Sequence, residues 1–311
     1  MRLILTILLI GLFKADAQVV INASAPYRPL VSANLLLDDY PNAAGAYSLR
    51  KLRTAYTGAA IRVRKDTTGQ PEQDINFVGN ELDTASLKSF LNARNGFVTT
   101  WYDQSGNARN ATQTVQANQP RIANLGVIDR RNTKVTLVLD GTNDELRADD
   151  VATTITGEDK AWTTLSVVTK NNTTDIENIL GFGNTTLANP LIIPLRLINN
   201  ANYGVFLRQT SSPTPTINAA VGTYAANTQY LMFNYSTGLF YNLFSNNNSI
   251  ISESYNTGTI TLNTCTIGAI RRSAVEGHFD GNIQEVVIYS TDQSTNRTGM
   301  QTNINSFYSI Y

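Results

Sequence analysis

Residues 96–113 read GFVTTWYDQSGNARNATQ, and this stretch decides the class of fold. Its first part, Phe97–Tyr102, consists only of β-branched and aromatic residues, which predicts a buried strand. The strand ends at Asp103, Ser105 and Gly106, because Asp and Ser accept hydrogen bonds from nearby backbone N–H groups and glycine adopts positive φ. Such a corner suits the ligand-binding rim of a β-sandwich. The alternative, which we favour because such turn residues are common, is that Asp103 and Ser105 only fix the turn.

The overall composition excludes several functional classes. The 311 residues carry a formal net charge of zero and only 15% of them are charged, so neither a nucleic-acid surface nor an acidic tail is indicated. Cys265 is the only cysteine and His278 the only histidine. The sequence therefore predicts no intramolecular disulfide and no cysteine or multi-histidine metal site.

The first 45 residues differ from the rest of the chain. Met1–Ala17 combines an early arginine, an apolar run over Leu3–Phe13 and a small-x-small cleavage motif at Ala15–Ala17, which is typical of a secretory signal. The run is too short to span a membrane comfortably, so we expect a secreted or cell-surface protein without a membrane span in its mature form. Residues 18–45 contain three prolines and predict an extended arm.

Residues 46–311 predict one all-β domain, a jelly-roll β-sandwich with a few short helices. From Lys134 onward, strand-like runs alternate with Asn-, Gly- and Pro-rich turns, which is typical of a sandwich. The expected strands include Trp162–Thr169, Asn178–Gly183, Tyr203–Gln209, Tyr230–Tyr235, Phe240–Phe244, Cys265–Ile270 and Gly277–Tyr289.

Three short helices are expected around these strands. They cover Ala46–Tyr56, Asp83–Leu91 with Asp83 as its N-cap, and Gln293–Tyr308, whose apolar residues can pack on the sandwich. Trp101, Trp162 and Val286 are expected in or beside the core.

Three segments together resemble the concanavalin A-like, laminin G-like jelly-roll domains. They are Val138–Leu146, Tyr230–Tyr235 and Gly277–Tyr289, the last of which contains the aromatic-x-Gly-x-Ile-x-Glu-Val run of a late strand in that superfamily. The resemblance implies two antiparallel sheets, one of them curved, with a concave face able to hold a glycan.

The N-terminal half is similar to the catalytic domain of the arabinofuranosidase B family, in the segments Ala46–Gly58 and Tyr102–Asn107. That family cleaves terminal L-arabinofuranosyl groups with retention, using a glutamate nucleophile and an aspartate acid/base. The resemblance places the nucleophile strand at Tyr203–Thr210 and the acid/base strand end at Ile267–Arg272, and it places a cysteine pair of the sugar pocket near Asn178. Neither of the two strand segments contains a carboxylate.

The missing carboxylates argue against catalysis. Retaining hydrolysis needs two carboxyl groups about 5–5.5 Å apart. A relocated pair such as Glu276 with Asp280 is the remaining enzymatic alternative. We therefore expect a protein that does not hydrolyse arabinofuranosides.

The same resemblance places the candidate ligand-binding residues, Tyr203, Arg208, Arg271 and Arg272, on one sheet face or rim. Guanidinium groups donate several fixed hydrogen bonds, which suits a neutral or acidic glycan. The competing interpretation, slightly favoured, is that Arg271 and Arg272 pair with Asp or Glu residues on neighbouring strands.

No cofactor is expected, although one acidic turn carries possible calcium ligands. Some laminin G-like domains hold this ion at the sandwich rim, and Asp140, Asn143 and Asp144 carry oxygens that could bind it. Calcium requires six to eight oxygen ligands. A simple Asx-turn is therefore the favoured interpretation of this segment.

Three functions compete. The favoured one is a non-catalytic recognition module, exported or displayed on a virion, that binds cell-surface or matrix carbohydrate in adhesion. The second is a structural decoration or fibre protein of a phage that infects Bacteroidota, contacting a capsid or further copies of itself, since the run Tyr289–Arg297 resembles secreted proteins of Bacteroidota and proteins of their phages. The third is a retaining α-L-arabinofuranosidase with relocated acids.

Overall fold

The computed structural model describes residues 34–173, 176–198, 201–212, 217–255 and 258–311. The signal-like segment and residues 18–33 of the predicted arm lie outside the described residues. Within the described ranges, no helix has the length and apolar character needed to cross a bilayer. The helices are α1 (Leu36–Asp39), α2 (Thr84–Leu91), α3 (Asp149–Ala152) and α4 (Arg297–Tyr308), with 3-10 turns at Gln116–Asn118 and Ser294–Asn296.

Strands dominate the chain, which confirms the predicted all-β sandwich. The strands of the N-terminal half are β1 (Gly45–Ser48), β2 (Ile61–Lys65), β3 (Glu72–Ile75), β4 (Phe77–Val78), β5 (Glu81–Leu82), β6 (Gly96–Trp101), β7 (Ala111–Thr112), β8 (Arg121–Asn124), β9 (Val127–Ile128), β10 (Arg130–Arg131), β11 (Lys134–Val135), β12 (Leu137–Asp140), β13 (Leu146–Arg147) and β14 (Gly157–Glu158). Those of the C-terminal half are β15 (Trp162–Lys170), β16 (Glu177–Gly183), β17 (Leu191–Ile198), β18 (Asn202–Arg208), β19 (Ile217–Val221), β20 (Gln229–Ser236), β21 (Phe240–Ser245), β22 (Asn248–Ser254), β23 (Thr259–Ile260), β24 (Thr264–Ile267), β25 (Ile270–Arg271), β26 (Val275–Glu276) and β27 (Asp280–Tyr289).

The strands form two stacked antiparallel layers. The order in the first layer is β22-β21-β20-β15-β27, and β1 and β12 both pair with the free side of β27. The order in the second layer is β3-β2-β6-β7-β13-β24-β16-β17-β18-β19. Strand β8 pairs with both β6 and β12 and so connects the layers.

The main core lies between the two layers. It contains Trp101, Trp162 and Val286, all fully buried as predicted. Two hydrogen bonds also cross this core. Asn234 Nδ2 and the Tyr241 hydroxyl, both of the first layer, donate to the carbonyl of Pro194 in the second layer, at 2.9 and 2.5 Å. These bonds satisfy a carbonyl that would otherwise be buried without a partner.

A second apolar cluster covers the outer face of the first layer. Val287 and Tyr289 of β27 point away from the main core and pack with Leu36 of α1 and with Met300 and Ile304 of α4. Strand β27 is therefore buried on both faces over its second half, which explains the continuous apolar run Val286–Tyr289. The single turn of α1 also differs from the extended conformation predicted for the arm.

The corner after β6 is held by one carboxylate. Asp103 Oδ1 accepts from the backbone N–H of Ala46 at 2.9 Å and of Ser105 at 2.8 Å, while Oδ2 accepts from the Arg109 N–H at 3.0 Å. The Ser105 hydroxyl donates to Oδ2 as well, at 2.7 Å. Asp103 is buried, so its role is to fix the turn, as the favoured interpretation held.

The helix predicted over Ala46–Tyr56 is wrong. Its first residues form β1, which pairs with β27, and the next ones are held extended by the buried side chain of Gln104, which accepts from the Leu52 N–H at 2.7 Å and donates to the Ser48 carbonyl at 3.0 Å. Tertiary pairing overrides the weak local helical pattern here. The capping prediction for α2 is confirmed, because Asp83 Oδ1 accepts from the Ser86 N–H at 3.0 Å.

Two element boundaries in the structure differ from the predicted ones. Helix α4 begins at Arg297, after the 3-10 turn, rather than at Gln293. The strand predicted over Cys265–Ile270 divides into β24 and β25 because Gly268 between them adopts φ +90°. Residues 270–276 then form a hairpin of β25 and β26 that stands beside β16.

Candidate functional site: an arginine-lined cleft

A cleft of about 320 Å³ opens on the outer face of the second layer, the face away from the main core. Strands β16, β17 and β18 form its floor, and the β25–β26 hairpin forms one wall. We call it the arginine cleft. Its apolar lining residues are Ile176, Leu191, Ile193, Phe206 and Ile270, and its polar ones are Asn178, Arg196, Arg208, Arg272 and Glu276.

Strand alternation decides which residues of β18 reach the cleft. Successive side chains of a strand point to opposite faces. Val205 and Leu207 are fully buried in the main core, so Phe206 and Arg208 turn outward into the cleft.

A bulge brings a third arginine to the same place. The register between β17 and β18 shifts between Ile193 and Arg196, at Pro194, a residue that cannot donate to a ladder. Ile193 lies before the shift and Arg196 after it, and both line the cleft although they are three residues apart. Without the bulge, alternation would place Arg196 on the core face.

The outward residues of β17 and β18 form a cation–aromatic group. The Cζ atoms of Arg196 and Arg208 lie 5.1 and 6.0 Å from the centre of the Phe206 ring. Leu191, Ile193 and Ile270 pack with Phe206 in a small apolar cluster. The floor of the cleft is thus apolar, while charged groups border it.

Arg208 is held in place by backbone carbonyls. Its Nε donates to the carbonyl of Asn189 at 2.6 Å and its Nη2 to that of Ala188 at 2.9 Å. Burial lowers the pKa of the guanidinium, and the positive charge of Arg272 lowers it further. Two positive charges therefore lie in the same cleft.

The wall of the cleft carries an ion pair. Arg272 Nη2 donates to Glu276 Oε2 at 2.8 Å, and the two side chains are 27% and 49% exposed. An exposed pair of this kind contributes about 0–1 kcal/mol to stability. The wall is attached to the floor by the buried Asn178 amide, which donates to the carbonyl of Gly277 at 3.2 Å. Gly277 has φ +61°, and a Cβ there would meet Asn178 Nδ2 at 2.2 Å.

The structure does not bring all four predicted binding residues together. Arg208 and Arg272 line the arginine cleft, but Tyr203 does not, because its side chain is 2% exposed and its hydroxyl lies 2.9 Å from Ser245 Oγ on the core side. Tyr203 and Arg208 are five positions apart, an odd number, so alternation itself assigns them to opposite faces.

Arg271 points into a different cleft, of about 340 Å³, that lies between β7, β13, α3 and the hairpin. It pairs there with Asp149. Arg272 pairs with Glu276 of β26, so the competing interpretation, in which both arginines pair with Asp or Glu on neighbouring strands, is confirmed for Arg272. The partner of Arg271 is also a carboxylate, but it lies on α3 rather than on a strand. The prediction of one shared face for Arg271 and Arg272 is wrong because adjacent residues leave the hairpin on opposite sides.

The relocated acid pair is also separated. Glu276 is the one carboxylate among the described residues that line the arginine cleft. Asp280 lies outside this lining and accepts instead from the side-chain amides of Asn171 and Asn172, at 2.7 and 3.0 Å. The two residues therefore do not face a common site.

The acidic turn after β12 is an Asx-turn. Asp140 Oδ1 accepts from the Thr142 N–H at 2.8 Å, and Asp144 Oδ2 accepts from the Asp140 N–H at 3.0 Å. Burial, helped by the charge of Asp140, raises the pKa of Asp144 to about 7. In the part of the chain that the structure describes, no three Asp, Glu, His or Cys residues are grouped as metal ligands.

Neither a protein-family model nor a curated protein matches the sequence. Solved structures do match. A GH54 α-L-arabinofuranosidase soaked with a cyclic sulfate inhibitor superposes with a TM-score of 0.63 at 14% identity, and an arabinofuranosidase complexed with arabinofuranosyl-α-1,2-xylobiose with 0.61 at 15%. The match covers 84% of this chain and 62% of each of theirs, so the chain spans less than two thirds of those proteins. They share its β-sandwich fold.

Phe206 and Arg196 are among the cleft residues that were not predicted from the sequence. Phe206 was within reach, because it alternates with the apolar Val205 and Leu207 and stands two positions before Arg208. Arg196 was not, because the bulge at Pro194 that turns it outward depends on the pairing of β17 with β18.

Proposed function

We propose that the protein is a non-catalytic carbohydrate-binding protein and that the arginine cleft holds the sugar. One observation carries the proposal. Three segments correspond, by resemblance, to the sugar pocket of the arabinofuranosidase B family, and residues from all three line this cleft: Asn178, Arg208 and Arg272. By this resemblance, an amide and two guanidinium groups stand where the family has its cysteine pair and its acids.

The chemistry of the lining supports a sugar ligand. Sugars present hydroxyl groups together with apolar C–H surface, and the cleft offers both kinds of complement. Phe206 and Ile193 supply apolar surface, while Arg208 and Arg272 supply N–H donors. A volume of about 320 Å³ is at the lower end of the range for small-molecule sites, roughly 300–1,000 Å³, which favours recognition of a single unit or a short segment.

Hydrolysis is not part of the proposal. Glycoside hydrolysis in its usual form uses two carboxyl groups, and in the described lining Glu276 stands alone, already paired with Arg272. We expect no release of nitrophenol from an aryl arabinofuranoside above the uncatalysed rate. A steady release that Glu276→Gln abolishes would restore the enzymatic alternative.

Binding is tested on a glycan array with the wild-type protein and two cleft variants, Phe206→Ala and Arg208→Gln. We expect at least one oligosaccharide to bind and both variants to lose at least tenfold in affinity for the oligosaccharide that the wild type binds most tightly. Arg130→Gln is the control, because Arg130 is exposed, donates to the Thr133 carbonyl and does not line the cleft. Unchanged binding by folded cleft variants, or no binding to any glycan by the wild type, would contradict the proposal.

We further propose that the protein acts outside the cell, in adhesion to cell-surface or matrix carbohydrate. The support is the signal-like segment Met1–Ala17. The intact mass of the protein isolated from its producing cell tests this proposal. A mature chain that begins at Gln18 is expected, and retention of Met1 would favour display on a virion instead.

A further inference from the structure

The charge of Arg208 lacks a negative partner. In the described part of the chain no carboxylate lies within ion-pair distance of its guanidinium, and the two groups that accept from it are neutral carbonyls. A guanidinium that is partly removed from water without a counter-charge is destabilised, and the lowered pKa of Arg208 is consistent with this. The cleft is therefore short of negative charge at this point.

The Arg208 side chain is also held in one orientation before any ligand binds. Two carbonyls fix Nε and Nη2, and the Phe206 ring lies 6.0 Å from Cζ, so the planar guanidinium has little freedom left. Its Nη1 donates to no described residue. A donor that is already immobilised loses little entropy when a ligand binds.

Arg272 can contribute to the same ligand. Its partner Glu276 is 49% exposed, so the ion pair is weak and water competes for it. Arg208 and Arg272 line the same cleft, so both guanidinium groups can approach one small anionic group bound there.

We propose that the arginine cleft selects glycans that carry an anionic substituent, a carboxylate or a sulfate, and that Arg208 and Arg272 bind this group while the apolar floor contacts the sugar ring. The inference rests on the proposed function and specifies its ligand class. Charge-assisted hydrogen bonds from a guanidinium to an anion are about twice as strong as neutral ones. The floor of Phe206, Ile193 and Leu191 explains why the ligand is a substituted sugar rather than a bare inorganic ion.

The second cleft provides a useful contrast. Of its three arginines, Arg147 donates to Glu145 and Arg271 pairs with Asp149. Two aspartates, Asp149 and Asp150, line it as well. Its positive charges are largely compensated, so we assign the anion preference to the arginine cleft alone.

The test uses an array of matched oligosaccharides that share one backbone and differ in one substituent: none, a glucuronic acid or a sulfate ester. For at least one backbone we expect the wild-type protein to bind an acidic member about 10 to 100 times more tightly than the neutral one, the range expected for a charge-assisted hydrogen bond. Arg208→Gln should reduce this preference to threefold or less. Its affinity for the neutral member should change much less.

Arg130→Gln removes the same charge from a residue outside the cleft lining and should keep the full preference. Preference for the glucuronate or for the sulfate member identifies which anion is recognised, and either result supports the inference. Equal binding of neutral and acidic members overturns the inference but leaves the proposed function intact. Binding of no member of any set overturns the proposed function, and the inference falls with it.

Discussion

At the scale of single residues, Asp103 shows how much one carboxylate can organise. It accepts from three backbone N–H groups and one hydroxyl, and these bonds link the end of β6 to β1. We expect Asp103→Ala to lower the free energy of unfolding by roughly 2–4 kcal/mol, because it leaves several buried donors unpaired. Urea denaturation measures the change. Ser105→Ala removes only the hydroxyl and should cost clearly less. A change below about 0.5 kcal/mol for Asp103→Ala would refute this role.

The raised pKa of Asp144 leads us to expect that the stability of the fold depends on pH. Its pKa is raised from 3.8 to about 7 by burial and by the nearby charge of Asp140, so the folded state keeps a proton that the unfolded state loses. Stability should therefore fall as the pH rises from about 4 to about 7 and then level off. One pKa unit corresponds to about 1.4 kcal/mol, and residual contact with water reduces the total to the order of 2 kcal/mol.

The variant Asp144→Asn should lack this slope, since an amide oxygen can still accept from the Asp140 N–H and carries no titrating proton. The measurement is chemical denaturation at several pH values between 4 and 8. Asp292→Asn, a change at an exposed residue, serves as the control. Parallel curves for the wild type and Asp144→Asn would show that Asp144 does not titrate in this range.

Residue roles that depend on local chemistry could be predicted, and those that depend on pairing could not. The N-cap at Asp83 and the turn at Asp103 use nearby backbone groups, so sequence alone identified them. Strand alternation would have given the orientation of the Tyr203 side chain, but the sequence-based prediction assigned it to the wrong face. The direction of Arg196 was not available, because it requires the bulge opposite β18.

At the scale of elements, a buried ion pair connects β27 to the segment after β1. Arg50 Nε and Nη2 donate to the two carboxylate oxygens of Glu285 at 2.7 and 3.0 Å, and both side chains are at most 5% exposed. Tyr308 of α4 also donates to Glu285, at 3.2 Å. The pair therefore joins a strand, a loop and a helix.

We expect Glu285→Gln to lower the free energy of unfolding by about 3–5 kcal/mol, because it leaves the Arg50 charge buried without its partner. Glu81→Gln breaks the exposed pair with Lys134 and should cost less than about 1 kcal/mol. Thermal and denaturant unfolding compare the two. If Glu285→Gln were no worse than Glu81→Gln, the buried pair would not stabilise the fold.

Strands with a clear pattern of apolar and β-branched residues were predicted well from the sequence. Strand β15 and strand β20 match their predicted limits within one residue at each end. The prediction for the segment after Gly45 failed because Leu49, Leu52 and Tyr56 have a helical spacing, whereas only Tyr47 and Leu49 show the alternation of a strand. Its partner β27, far away in sequence, decides between the two.

At the scale of the whole molecule, Cys265 reports on global unfolding. It is fully buried in the main core, and burial, together with the charge of Asp149, raises the pKa of its thiol well above the usual value. Because the thiolate is the reactive form, we expect no labelling by a disulfide reagent in the native state and rapid labelling in denaturant. The labelling rate should follow the rate of global opening. Fast labelling of the native protein would contradict the closed core.

The layer order could not be predicted from the sequence. Local patterns give the strands but not their neighbours, and β27 pairs with three strands that lie far apart in the chain, β1, β12 and β15. The candidate cleft could not be predicted for the same reason, because it depends on segments that are distant in the chain. Its floor and its wall come from residues about 60 positions apart, so no single motif reveals it.

The pairing of Gly45 with Ile288 also has a consequence for synthesis in the cell. A ribosome adds about 5–20 residues per second, so roughly 12 to 50 seconds separate the appearance of β1 from that of β27. Until β27 appears, β1 and then β15 are present without their shared neighbour, and the first layer cannot close. Factors that bind exposed strand edges have that time to act, because the first layer closes only after β27 has been synthesised.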